Sequence, residues 1–424
     1  MKKILYQAIL FCLSIHCGSV YISAQPKQIE RMDSLLQSFI DNGKTNVVAA
    51  YVAKGGDVLY HKAFGYKDFE NKIPASVDDY YVLFSQTKAV ISVAFMTLVD
   101  KGLVSVDDPV ANYFPGIPDQ IITTLNEDGT YETRTANVPM TFVHLMAHSS
   151  GLGAGQAGAL RRKRRPQEDR PPGFAGHTDE RKTTGQRTMG VDGEVRYLKD
   201  EMEALAKYPL GFEPGSEYNY HVSTNMLAYM IGRISGKPLR EYVKETILIP
   251  LGMNDTDWYY PADKLDRFVK PYNYVDGKLE KGTTMYAEGA VSPVQTYCEG
   301  AIGLNGPIGD YAKFCQMLLN KGEYNGVRIL KAETVDAMTT INRLPAVNSG
   351  GKGFQFGLGF ELHNPNRKPL PEVSNSAYSW GGMLGTAYII DPQNDMTALF
   401  YLNMFKKEEL YPLFLKEVYH VIKP

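Results

Sequence analysis

Between Lys88 and Val99 the chain runs through Ala89, Val90, Ile91, Val93, Ala94, Phe95, Met96 and Leu98 almost without a polar break, and the run stops at Lys101-Gly102. A helix that is apolar on most sides must be enclosed by protein, so the rest of the chain has to build a shell around it. With 424 residues, 44% of them hydrophobic, there is material for such a shell. From Ile29 the apolar positions Met32, Leu35, Leu36, Phe39 and Ile40 recur at helical spacing until Asn42-Gly43. Val47 to Val52 and Val58 to Phe64 are β-rich runs joined by Lys54-Gly55-Gly56-Asp57, a connection that suits a hairpin. Phe354 to His363, Gly385 to Asp391 and Met396 to Asn403 read as strands again, and Glu408 to Ile422 has helical spacing. Strands and a helix at each end, with helix patterns, turns and prolines between, predict an α/β fold. Residues 27–105 and 286–424 would form one discontinuous domain, with a mainly helical region inserted at 106–285.

Lys plus Arg come to 45 and Asp plus Glu to 47, so a net charge of −2 provides no field for a polyanion, and nucleic acid is excluded as a partner. Lys2 and Lys3 precede an apolar run from Ile4 to Leu13, and a weaker stretch ends at Ala24-Gln25-Pro26. This reads as a secretory signal over residues 1–24, hence an exported, periplasmic or secreted protein with no stable membrane insertion after cleavage. An uncleaved anchor is the alternative. Four cysteines cannot staple a chain of this length, and Cys298 and Cys315 read as two inert buried thiols. Arg161-Arg162-Lys163-Arg164-Arg165 opens a polar stretch that runs to about Val191. It reads as a solvated surface loop, the alternative being a loop that overhangs a cleft and attracts anionic substrates.

Ser85-Gln86-Thr87-Lys88 stands where the buried helix begins. A serine hydroxyl needs a partner to remove its proton, and a lysine one turn later brings its amine to the same face. Apolar surroundings favour the neutral amine that can accept that proton, and a helix N-terminus supplies N–H groups for negative charge. A second copy of the spacing, Ser349-Gly350-Gly351-Lys352, lies in a glycine-rich stretch and reads as accidental. Tyr220, in Pro214 to Asn225 just before an apolar helix, suits a phenolic proton shuttle. His221 beside it either tunes the tyrosine or is an exposed loop histidine. Trp380-Gly381-Gly382-Met383 opens a β-run in which paired glycines admit substrate and an N–H can serve as a second oxyanion donor. His144 and His148 have i, i+4 spacing, but Leu145 stands where a zinc protease carries its glutamate, so a metal is not favoured. Trp258-Tyr259-Tyr260 reads as core in preference to a wall of a pocket.

These landmarks, together with Thr141 to Leu152, Pro250 to Thr256 and Gly303-Leu304 to Asp310-Tyr311, occur in an order that resembles the serine β-lactamase and penicillin-binding-protein superfamily. The similar branch comprises class C β-lactamases, D-alanyl-D-alanine carboxypeptidases and secreted esterases. The resemblance implies a β-lactamase/transpeptidase-like fold, an antiparallel sheet flanked by terminal helices. It further implies Ser85 as nucleophile, Lys88 as its base, Tyr220 as the tyrosine of the second motif, and the backbone N–H groups of Ser85 and Met383 as the oxyanion hole. Two motifs depart from that pattern. Tyr220-His221-Val222 replaces Tyr-x-Asn, and Trp380-Gly381-Gly382 replaces Lys-Thr-Gly. His221, Trp380, Gly381 and Gly382 are then substrate-binding positions without the amide and the cation that serve a β-lactam or peptide. The expectation is an exported, esterase-like serine hydrolase that acts through a Ser85 acyl-enzyme on a small ester or amide, with neither metal nor organic cofactor. Acyl transfer to an alcohol, D-alanyl-D-alanine carboxypeptidase or weak β-lactamase activity, and a non-catalytic binding role are the alternatives. Oligomeric state is not legible.

Overall fold

The computed structural model of the chain describes residues 26–164, 195, 197–282, 284–345, 348–404 and 409–422. The leader at 1–24 and the stretch from 165 to 191 in the basic loop lie outside the described residues.

A sheet of seven antiparallel strands organises the molecule, and the two ends of the chain meet at its centre. Val47–Lys54 pairs with Asp57–Asp68 on one side and with Met396–Tyr401 on the other, Ala49 lying opposite Tyr401. Beyond Met396–Tyr401 come Ala387–Asp391, Tyr378–Gly381 and the short Glu361–Leu362, while Ile73–Pro74 closes the opposite edge. The first hairpin turns on Gly55 and Gly56 with φ of 62° and 85°. Positive φ at both central residues matches the turn to the right-handed twist of the strands, which is why glycine occupies both.

Both faces of the central strands are covered. Val48, Ala50 and Val52 pack with Met32, Leu36 and Phe39 of the helix Pro26–Asp41 and with Phe414, Leu415 and Val418 of Leu410–Val421. Val47 and Ala49 face a larger core shared with Phe314, Cys315 and Met317 of the helix Ile308–Leu319. A strand buried on both sides cannot alternate apolar with polar residues, so Val47 to Ala53 is apolar throughout. The helix Thr87–Asp100 belongs to the same larger core, with every residue from Thr87 to Leu98 buried. It packs against Val222–Ser235, and this enclosure accounts for its apolar sequence.

The region between contains the helices Phe142–Met146, Gly155–Arg164, Leu198–Ala206, Val222–Ser235 and Leu239–Val243. It also carries two hairpins absent from the helical expectation, Gln120–Leu125 with Tyr131–Thr135 and Tyr272–Val275 with Lys278–Lys281. Its apolar residues join those of the sheet in one continuous core.

The stretch Phe354 to His363 yields only the two-residue strand Glu361–Leu362. Gly357 packs on the Met338 carbonyl and Gly359, at φ of 101°, on the Ser92 side chain, so the backbone bends to follow its neighbours. Trp258, Tyr259 and Tyr260 are core residues with 3%, 5% and 6% exposure. Cys298 and Cys315 are free and buried, and burial pushes the Cys298 thiol up to about 12, which keeps it unreactive. Among the described residues no helix is long and apolar enough to cross a membrane.

Candidate active site

Ser85 lies in the 3-10 turn Phe84–Gln86, which runs directly into the helix Thr87–Asp100. Phe84 adopts φ of +45°. That region is costly for a bulky side chain, and the ring is held in place by complete burial and edge contact with Tyr286, 4.7 Å between centroids. Ser85, half-buried, lines a cavity of about 610 Å³.

Lys88 is only 1% exposed. Its Nζ lies 3.1 Å from Ser85 Oγ, donates to the Ala301 carbonyl at 2.8 Å, and sits 4.5 Å from the centre of the Tyr220 ring. The segment that supplies this carbonyl is itself held from both sides. Ala301 N donates to Asn225 Oδ1 at 2.8 Å, Leu304 N to Thr87 Oγ1 at 3.1 Å, and Leu83 N to the Leu304 carbonyl at 3.1 Å. The lysine is thereby fixed by a strap tied to the turns on either side of the serine.

Tyr220 comes from the segment preceding Val222–Ser235 and lines the same cavity as Ser85. Trp380 Nε1 donates to the Tyr220 hydroxyl at 3.0 Å. Burial pushes the phenol up to about 12, and neighbouring Ser85 and Trp380 pull the other way. His148 stands edge-on to the Tyr220 ring at 4.7 Å. Burial, with Lys88 and His221 adding, holds its pKa well below the ordinary 6.5, so Tyr220 packs against a neutral ring. The expected nucleophile, base and tyrosine are therefore neighbours, with Lys88 Nζ 3.1 Å from Ser85 Oγ and 4.5 Å from the centre of the Tyr220 ring.

Trp380 and Gly381 end the strand Tyr378–Gly381; they do not open one, and Gly382 to Thr386 form the turn to the next strand. Gly382 lines the cavity and has a packing reason to be bare as well, because a Cβ there would collide with Thr386 Oγ1 and the Leu83 carbonyl. Its bareness lets the strand end lie against the turn that carries Ser85. Gly382→Ala is accordingly expected to cost about 1–3 kcal/mol by overpacking and to slow turnover by displacing Leu83, read by urea unfolding and by ester hydrolysis. Met383 and Ser85, the two residues expected to supply oxyanion donors, both line the cavity.

His221 lines the same cavity and adopts φ of 108° and ψ of −72°. Its Nδ1 is 3.5 Å from Lys88 Nζ and its Nε2 is 3.8 Å from the buried Glu299. Asn225 Nδ2 donates to the same carboxylate at 3.4 Å. Sequence reasoning missed Asn225, Glu299 and Ala301. A usable sign was present, since Ser223, Thr224 and Asn225 are polar at the head of an otherwise apolar helix and all three are buried. For Glu299 and Ala301 no periodicity points to their partners.

The remaining candidates serve structure. Thr141 N donates to His144 Nδ1 at 3.1 Å in a capping box, and His148 lies past the end of that helix against Tyr220, so the two rings do not converge on an ion. Ser349 Oγ donates to the Tyr218 carbonyl at 2.7 Å, outside any helix. Arg161 pairs with Glu201 at 3.3 Å, and Lys163 and Arg164 donate to the carbonyls of Glu127 and Gly129, each at 3.2 Å. Lys163 and Arg164 thus latch a helix end to the Gln120–Thr135 hairpin, and Arg161 ties it to the helix Leu198–Ala206. The rest of the loop, where the alternative reading places an overhang, lies outside the described residues.

The family model described as beta-lactamase matches residues 32–413. Esterase EstB from Burkholderia gladioli is 25% identical over 394 residues, 88% of this chain and 90% of its own. Protein Rv1367c of Mycobacterium tuberculosis (strain ATCC 25618 / H37Rv) is 26% identical over 378 residues, 86% of this chain and 87% of its own. Among solved structures, EstCE1, a hydrolase with promiscuous acyltransferase activity, superposes with a TM-score of 0.71 at 21% identity, covering 93% of this chain and 98% of its own. That likeness shows a shared β-lactamase/transpeptidase-like fold. With a match reaching from the first helix to the last, the chain belongs to the beta-lactamase family and is a serine hydrolase of that superfamily.

Proposed function

We propose that this protein is an exported esterase-like hydrolase that works through a Ser85 acyl-enzyme on small esters, or amides of similar size, that carry no carboxylate near the scissile bond. The observation that carries the reading is the Lys88 amine lying 3.1 Å from Ser85 Oγ and 4.5 Å from the Tyr220 ring, whose hydroxyl is held by Trp380 Nε1 at 3.0 Å. As Oγ forms its bond to the carbonyl carbon, Lys88 takes the hydroxyl proton. The N–H groups of Ser85 and Met383 meet the negative oxygen, and Tyr220 hands a proton to the departing alcohol or amine as its bond breaks. Water then adds to the acyl carbon, gives its proton to the same groups, and leaves the acid and a free serine.

The cavity wall supports an uncharged substrate. Phe84, Ile302, Trp380, Met383 and Tyr388 are apolar or aromatic, and among the described lining residues there is no lysine or arginine, the acidic Glu361 being paired with Arg367 behind it at 2.8 Å. Among the described lining residues an entering carboxylate finds no cation to replace its hydration. A relative named an esterase supports the ester reading, beside others named as putative D-alanyl-D-alanine carboxypeptidases, and an acyl-enzyme can pass its acyl group to an alcohol as well as to water. The leader segment in the sequence supports export.

A panel of p-nitrophenyl esters of graded chain length, with nitrocefin beside them, tests this reading. Neutral esters are expected to be turned over, with kcat/KM for nitrocefin lower by about 100-fold or more. Nitrocefin hydrolysed as readily as the esters would return the protein to β-lactamase. Absence of both turnover and a fluorophosphonate adduct on Ser85 would make it a binding protein. Added acceptor alcohol is expected to yield transesterified product in competition with acid, measured by chromatography.

A further inference from the structure

We infer that His221 is the residue that aims the Lys88 amine, its Nδ1 accepting one lysine N–H so that the nitrogen lone pair faces Ser85. This rests on the acyl-enzyme reading above and adds a positioning residue to it. A neutral amine presents two N–H groups and one lone pair. Around Lys88 Nζ stand the Ala301 carbonyl at 2.8 Å, Ser85 Oγ at 3.1 Å and His221 Nδ1 at 3.5 Å. The carbonyl can only accept, so it takes one N–H. With His221 accepting the other, the lone pair remains for the serine proton. Without that acceptor the second N–H is free to turn to Ser85 Oγ, and the lone pair then points away from the proton it must receive.

Nδ1 can accept only when the imidazole proton is on Nε2, and the Glu299 carboxylate lies on that side at 3.8 Å. Glu299 is buried and is held in turn by Asn225, the residue that also orients the Ala301 amide. Both acceptors of the lysine N–H groups are therefore set by one asparagine at the head of the helix Val222–Ser235.

The backbone supplies an independent observation. At φ of 108° and ψ of −72°, His221 occupies a conformation that favours glycine and strains any residue with a Cβ. Glycine would satisfy the turn, so the imidazole is present at the expense of local backbone comfort. Strain of this kind gathers where a side chain has a task.

That strain makes the test separable from folding. His221→Gly removes the acceptor and relaxes the turn, so its Tm is expected to equal or exceed that of the wild type while kcat for a p-nitrophenyl ester falls about 100-fold with KM nearly unchanged. His221→Asn keeps an acceptor near the Nδ1 position and tolerates positive φ; its kcat is expected to recover to within about tenfold of the wild type. A glycine variant with wild-type kcat overturns the inference, and so does an asparagine variant as slow as the glycine one. Ser85→Ala is assayed beside them. If it retains turnover, the acyl-enzyme reading fails and the inference falls with it, whereas an inactive Ser85→Ala with a fully active His221→Gly defeats the inference alone.

Discussion

Ser85→Ala is expected to lower kcat for p-nitrophenyl esters by at least about 1,000-fold and to abolish the mass shift produced by a fluorophosphonate. No other described group can replace the hydroxyl, because the neighbouring nucleophiles are poorly placed. Cys298 and Cys315 are buried with raised thiol pKa values, and the Tyr220 phenol stays protonated in the neutral range. The variant keeps its fold. Lys88 retains the Ala301 carbonyl and Tyr220 retains the Trp380 N–H, so unfolding free energy should change by only about 1 kcal/mol. Chemical denaturation beside the kinetic assay distinguishes loss of chemistry from loss of structure.

Tyr220→Phe is expected to reduce kcat by about 100- to 10,000-fold with little effect on KM. The phenol is held in its protonated form, and a group raised to about 12 does not lose its proton within the working range. If its role is to carry a proton to the leaving group, kcat/KM should show no alkaline decline from this group up to about pH 10. The phenylalanine variant should show the lower rate at every pH in that interval. A wild-type rise in kcat/KM centred near pH 8 that is absent from the variant would contradict a protonated phenol and would indicate a phenolate base. Stability follows the same sign. The phenol is harder to ionise in the folded state than at its ordinary 10, so the folded state is unaffected below pH 10 and loses stability as pH rises towards about 12.

The outcome also bears on how a shared fold is adapted. Trp380, where the resemblance leads one to expect a lysine, does more than vacate a cationic site. Its indole N–H holds the Tyr220 hydroxyl at 3.0 Å, and its ring packs against Tyr220 at 5.4 Å and Phe356 at 5.0 Å. The wall is aromatic with one polar handle, and that handle fixes the hydroxyl to which the proposal gives the proton.

What could be read in advance followed from local geometry. Residues one helical turn apart face the same side, so Ser85 and Lys88 had to meet once the apolar run from Ala89 was recognised as a buried helix. Gly55-Gly56 between β-rich runs had to turn, and the terminal helices declared their inner faces by spacing. Phe354 to His363 misled for the opposite reason. Its β-rich side chains suggested a strand, while Gly357 and Gly359 were shaped by the side chains and carbonyls of distant residues. The strand end at Trp380-Gly381 was displaced in the same way, because Gly382 answers to Leu83.

By itself the sequence determined that there is a large enclosed core, a serine and lysine on one helix, and a tyrosine and a glycine pair available to join them. Only the tertiary structure decided that His221 and Trp380 point their nitrogens at Lys88 and Tyr220, across 133 and 160 residues of chain, and that Asn225 and Glu299 stand behind them. The physical reason is the range of the forces involved. Periodicity and turn preference act over a few residues and leave a trace in any short window, whereas a hydrogen bond between remote segments depends on how whole layers pack, and no local pattern encodes the packing of layers.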